Sequence, residues 1–162
     1  SVTGVQTCAL PIFEYLFSIT EKNNKTLKAY LEQVPEISFR RVPEGGGDSC
    51  SFLSWFLPTA EQTQAVVAEM KEQGILAGNF YWFANNWHYI SKWDHLKSAT
   101  TLSRISGEQE AALIKLKSTV FAESDAIMSR CISTAISLVW TEDQIHDKGT
   151  RMIAAINKVL GK

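Results

Sequence analysis

The sequence predicts an α+β domain in which helices pack on a small antiparallel or mixed sheet. Three observations lead there. Segments with apolar residues at helical spacing are interspersed with short strand-like runs, a Gly-rich turn separates the first two runs, and no strand-helix-strand unit recurs at regular intervals. Neighbours joined by a short turn pair antiparallel, because parallel strands need a crossover of roughly a dozen residues or more.

From Phe13 to Val34 the residues Leu16, Ile19, Leu27, Tyr30, Leu31 and Val34 follow a helical period. Glu21 to Lys25 lie on a solvated face, and Pro35 ends the helix. Upstream, Val2 to Ile12 resembles the in-frame translation of a short-read sequencing adapter. Residues 1–12 are therefore set apart, residues 13–34 are read as a helix leading into a domain over 35–162, and the native chain is expected to extend upstream of Phe13. The first twelve residues also lack the ordered basic, apolar and small-residue parts of a secretory signal.

Ile37 and Phe39 alternate with Ser38 and Arg40 as a short strand, and Pro43 to Asp48 forms a turn. The returning strand, Ser49 to Leu57, alternates only partly, which suits a central position, and Pro58 stops it. Thr59 is placed to cap a helix carrying Val66, Val67, Met70 and Ile75, with Gly74 as its stop. Gly78 to Leu96 holds seven aromatic residues without a regular period and is read as a short strand followed by an ordered loop. Short helices follow at Glu108 to Lys117 and Ser124 to Arg130, then an Ile- and Val-rich strand from Cys131 to Val139. Thr141 and Gln144 form a capping signature ahead of a last helix with Ile145, Met152, Ile153, Ile156, Val159 and Leu160 at core spacing.

The 162 residues carry 16 Lys and Arg against 17 Asp and Glu. A formal charge of -1 gives no excess of cations to neutralise phosphates, so neither nucleic acid nor an anionic membrane surface is an expected partner. Apolar runs such as Ser51 to Leu57 fall far short of a bilayer span. With Cys8 set apart, Cys50 and Cys131 form neither a metal motif nor a disulfide framework, and a reducing, cytoplasmic setting is expected.

The Gly45 to Gly47 turn joins two strands instead of leading a strand into a helix, so it reads as a hairpin turn and not as a phosphate loop. His88 and His95, with Asp94, match no common zinc spacing. Taken singly, Trp82, Trp87 and Trp93 read as core. Asn85, Asn86 and His88 set among aromatics are a different matter, because a polar group within an apolar wall orients a small molecule. His88 is the leading functional candidate, whereas His146 reads as solvated. No GxSxG, HExxH or CxxC motif occurs. Lys71, Lys115, Lys117, Lys148 and Lys158 all read as exposed, with no buried Schiff-base lysine among them. The residues thus describe a pocket-bearing domain without a complete catalytic set.

Phe39 to Pro43, Gly47 to Pro58, the helix ending Glu72-Gln-Gly-Ile75 and the stretch Tyr81 to His88 resemble the carboxy-terminal small domain of DegT/DnrJ/EryC1/StrS aminotransferases. Arg130 to Leu138, Thr141 to Ile145 and Ala154 to Leu160 are similar to that family's final strand and helix, so the resemblance runs from Phe13 to the end. It implies the small domain of a fold-type I enzyme that uses pyridoxal 5'-phosphate to aminate a keto-sugar, with glutamate as donor, and that works as a homodimer. The aromatic stretch, followed by Lys92 to Leu96, is most like members acting on a Kdo-type sugar of lipopolysaccharide. Tyr81 and His88 match the family's substrate-facing Tyr and His, with Trp82 and Asn86 beside them, while the commoner His-Tyr pair reads Phe80-Tyr81 here. The resemblance places the cofactor lysine and the other catalytic groups upstream of Phe13, leaving this chain inactive alone. A second reading is a non-catalytic carbohydrate-binding module that stacks sugars on Trp82, Trp87 and Trp93.

Overall fold

Helix α1, Thr3–Leu31, is the longest element and starts well before the helical period that begins at Phe13. The computed structural model describes residues 3–43, 47–75, 78–84, 89–98, 100 and 102–162, with side chains described from residue 10 onward. Pro11 lies inside α1. Leu27 and Leu31 are fully buried, while Phe13, Tyr15 and Phe17 are exposed, so only the carboxy-terminal half of the helix packs on the body.

Strand β1 is Ser38–Phe39, β2 is Phe52–Phe56, β3 is Asn79–Tyr81 and β4 is Cys131–Ala135. They form one four-stranded sheet in the order β1-β2-β4-β3, antiparallel at every ladder. This fulfils the α+β expectation and resolves its sheet as antiparallel. The central place expected for the second strand is also observed. Helix α2, Ala60–Glu72, opens with the Thr59 hydroxyl accepting the Gln62 N–H at 3.2 Å. Its chain reverses at Gly74, where φ is +68°, a value costly for any side chain.

Beyond β3 a 3₁₀ turn at Ile90–Lys92 leads to α3, Asp94–Lys97, then α4, Gly107–Ser118, and α5, Ala122–Met128. None of these three helices has a fully buried residue. Helix α6, Glu142–Leu160, starts from the predicted box, with Thr141 and Gln144 each bonded to the other's backbone N–H, and ends at Gly161 in the left-handed region.

Helices α1, α2 and α6 cover one face of the sheet. Trp55, Ile132, Val66, Met70, Met152 and Ile156 are essentially inaccessible between them, each contributing about 1.5–3 kcal/mol through burial. A polar relay runs through this core. Asn79 Nδ2 donates to the Ile75 carbonyl at 2.6 Å, Thr134 Oγ1 donates to Asn79 Oδ1 at 2.5 Å, and Trp55 Nε1 donates to Thr134 Oγ1 at 3.2 Å. Buried polar groups need such partners, and a one-residue slip of β3 or β4 would leave them unmatched. Among the described residues, no helix is long and apolar enough to cross a membrane.

The strand predicted over Cys131 to Val139 stops at Ala135. Beyond it, Ile136 N–H bonds the Ser51 carbonyl, Ser137 Oγ accepts the Val139 N–H, and Val139 turns outward. The Gly45 and Gly46 part of the predicted hairpin turn lies outside the described residues.

Candidate functional site

The sheet face away from the helices carries a cavity of about 490 Å³ lined by Arg40, Asp48, Ser49, Phe52, Ser54, Trp82 and Ser133. Strand register explains the set. Arg40 N–H donates to the Ser54 carbonyl at 3.0 Å, which extends the β1 ladder by one position. Ser54 faces Ser133, and Ser133 faces Phe80. Because facing residues share a side of the sheet, Arg40, Ser54, Ser133 and Phe80 form one row across all four strands. A cation, two hydroxyls and an aromatic ring thus follow one another at strand spacing.

The two hydroxyls lie 3.1 Å apart. Phe52 and Phe80 have ring centroids 6.3 Å apart, and Phe80 and Trp82 5.9 Å, so aromatic surface flanks the polar row. Arg40 is held by Asp48, with Nη2 to Oδ2 at 2.6 Å. The other oxygen of Asp48 accepts the Cys50 N–H at 3.1 Å. Cys50 adopts φ +54°, in the left-handed region uncommon for side-chain-bearing residues, and this bend wraps the Asp48 carboxylate around Cys50 N–H. On the helix side of the same bend, Asn24 Nδ2 donates to the carbonyls of Cys50 at 3.1 Å and Phe52 at 3.3 Å.

Of the four residues expected to face substrate, Trp82 lines this cavity. Tyr81 faces Ile132 and so turns to the helix side, half-buried, where burial raises its phenol pKa. Adjacent residues on a strand point to opposite faces, and the two do not meet in one pocket. Asn86 and His88 lie outside the described residues, as do Asn85 and Trp87. The positions flanking them are held together. The Phe83 and Tyr89 rings lie 6.1 Å apart, Lys92 Nζ sits 3.9 Å from the Phe83 ring centre, and the Tyr89 hydroxyl donates to Asp125.

His95 stacks on Trp93 at 6.2 Å, and no group of three metal-ligating residues occurs among the described residues. His146, read as solvated, is exposed, with its Nδ1 hydrogen-bonded to the Tyr30 hydroxyl at 2.7 Å. One expectation needs correction. Lys148, read as exposed, is half-buried with its ammonium 5.3 Å from the Trp140 ring centre, and burial lowers its pKa, Arg151 adding to the effect. Cys131 is buried, and burial pushes its thiol up to about 11. The sequence reading missed Arg40, Ser54 and Ser133. The Phe52, Ser54, Phe56 alternation was the available signal, a serine between two aromatics on one face of a strand.

No family model matches the sequence. The structure is similar to the crystal structure of 3-amino-5-hydroxybenzoic acid (AHBA) synthase, with a TM-score of 0.53 and 18% sequence identity. The likeness covers 90% of this chain and 35% of that one, so the chain spans about a third of the solved structure it matches. At this level of identity the likeness is one of fold: nearly the whole chain adopts the fold of a part of that enzyme.

Proposed function

We propose that this chain is the carboxy-terminal small domain of a pyridoxal-phosphate-dependent sugar aminotransferase of the DegT/DnrJ/EryC1/StrS type. The observation that supports this most is the fold shared over 90% of the chain with a synthase whose named product bears an amino group. The sequence resemblance from Phe13 onward points the same way. In this reading the substrate is a keto-sugar, of the Kdo type made for lipopolysaccharide, with glutamate as amino donor, and the enzyme works in the cytoplasm as a homodimer.

Among the described residues lining the cavity on the open face there is no lysine to bond the cofactor's aldehyde, and Lys148, on α6, lies beside the Trp140 ring instead; this reading therefore assigns the cofactor lysine to the longer protein. What this chain supplies is one wall. The Ser54 and Ser133 hydroxyls accept and donate hydrogen bonds to sugar hydroxyls, and Trp82 and Phe52 cover the sugar's apolar faces and exclude water.

The test is the longer reading frame. Expressed and purified, it is expected to bind pyridoxal phosphate through a lysine that borohydride links to the cofactor, and to aminate a Kdo-type keto-sugar at the expense of glutamate. A frame that encodes an unrelated domain, or one without such a lysine, overturns the proposal. The aromatic run Phe52, Phe80 and Trp82 favours a second reading, a carbohydrate-binding module. Tight, saturable binding of neutral sugars by the isolated chain, followed through tryptophan fluorescence, would favour the module over the half-site.

A further inference from the structure

We infer that this chain pairs with a second copy of itself through helix α4, the two helices running antiparallel about a two-fold axis that passes between Ala111 and Ile114. The pairing does not rest on the aminotransferase reading, which calls for a homodimer without naming a surface that forms it.

Helical spacing divides α4 into two sides. At about 100° per residue, the half-buried Leu113 and Leu116 turn inward, and the other residues of the helix are exposed. Gly107, Ala111, Ile114 and Ser118 share a stripe on the outer side, where Ile114 is 63% exposed. Glu110 and Lys117 border one edge of that stripe, Glu108 and Lys115 the other. Within α4 no opposite charge lies three or four places from any of these four, the spacing at which helical neighbours pair. Elsewhere the chain uses that spacing, at Glu21 and Lys25, Lys28 and Glu32, and Asp147 and Arg151. Among the described residues none of the four charges on α4 enters an ion pair.

A second copy supplies what the helix lacks. About the two-fold axis Ala111 faces Ile114 of the other copy and Gly107 faces Ser118, so small residues let the helices approach and each isoleucine is covered. On both edges a glutamate comes within two residues' rise, about 3 Å along the axis, of a lysine: Glu108 beside Lys115 of the second copy, and Glu110 beside its Lys117. Parallel pairing would instead set Glu108 beside Glu110 and Lys115 beside Lys117, and like charges repel. Acids in the first turn and bases in the last also suit the helix dipole, but the dipole gives no account of an isoleucine exposed between them. A contact of one such helix, about 18 Å long, belongs with weak, reversible interfaces.

The experiment is sedimentation equilibrium of the whole chain at low salt, over concentrations from about 10 μM to about 1 mM. Dimers are expected with a dissociation constant on the order of 0.1 mM, weakened several-fold by high salt. Lys115→Glu combined with Lys117→Glu, and separately Glu108→Lys combined with Glu110→Lys, should each weaken self-association on the order of tenfold or more. An equimolar mixture of the two double variants should restore it, because every edge then meets its opposite charge. A chain that stays monomeric throughout, double variants that dimerise as the parent does, or a mixture that fails to recover would overturn the inference. Association indifferent to the charge changes is what the exposed Phe13, Tyr15 and Phe17 of α1 would give in place of α4. None of these outcomes bears on whether the longer frame binds pyridoxal phosphate, so the two proposals fail separately.

Discussion

A Cβ built on Gly149 would lie 2.5 Å from the Cγ and Cδ2 atoms of the Tyr30 ring. Helix α6 therefore meets α1 at a position where the ring takes the space of a side chain, and the Tyr30 hydroxyl is bound in turn to His146 one turn earlier. In an unpacked helix Gly149→Ala would gain about 1 kcal/mol from propensity. Here overpacking reverses the sign, and Gly149→Ala is expected to lower stability by about 1–3 kcal/mol in urea unfolding. Combining it with Tyr30→Ala should recover part of that loss, since the two residues share one contact. A stabilised Gly149→Ala single variant would contradict the packing described.

Thr134→Val keeps the shape of β4 but removes the hydroxyl that links Trp55 to Asn79. Two buried groups, an indole N–H and an amide oxygen, then lose a partner. A loss of about 2–4 kcal/mol is expected from these unmet groups. Thr134→Ser, which preserves the hydroxyl, should cost distinctly less, and equal costs for the two variants would mean that the relay contributes nothing.

Among the described residues four carboxyls are held below their ordinary value of 4.5: Glu36 by Lys162, Glu69 by Lys158, Glu142 by Lys22, and Glu61 by its own backbone N–H at the start of α2. A lowered folded value means that the unfolded chain takes up protons first. The stabilisation is complete above the ordinary value and disappears as pH falls through the lowered ones. Stability should thus be level from neutrality to about pH 5 and fall below it, with a shallower fall in high salt, because these pairs lie at the surface. Replacing Glu36, Glu69 and Glu142 together by Gln should flatten the acid limb; an unchanged limb would assign it to other groups.

Burial raises both described thiols, Cys131 to about 11 and Cys50 in part through the charge of Asp48. At pH 7.5 the thiolate of Cys131 is scarce and sheltered. Iodoacetamide, read by peptide mass, should modify Cys50 well before Cys131, and Cys131 only on unfolding. Comparable rates at the two sites would place Cys131 at the surface.

Local signals carried much of the fold. Thr59, Gly74 and the Thr141 and Gln144 box mark helix ends through bonds made within a few residues, and each is seen in the structure. The end of β4 was not legible, because Ile136, Leu138 and Val139 continue the apolar run while the partner strand β2 is already exhausted. The site was legible only as composition. An aromatic-rich stretch announced Trp82, but its neighbours in space are Ser54 and Ser133 from strands distant in the chain. Which serine faces which, and that Tyr81 turns away from Trp82, follow from register, and register is set by the relay of Trp55, Thr134 and Asn79 deep in the core.

Tyr81 and Ile132 close the ladder between β3 and β4 as facing partners. Two antiparallel neighbours can be joined by a turn of about two residues. Residues 82–130 instead make an excursion carrying α3, α4 and α5 and return to the same doorway. The span is an insertion between two fixed posts, tied at its end by the Leu57 N–H to Arg130 carbonyl bond at 3.3 Å, so changes in length among the exposed helices ahead of Arg130 are expected to spare the pairing of the four strands. A lineage can therefore exchange whatever borders Trp82 at little risk to the sheet that supports it.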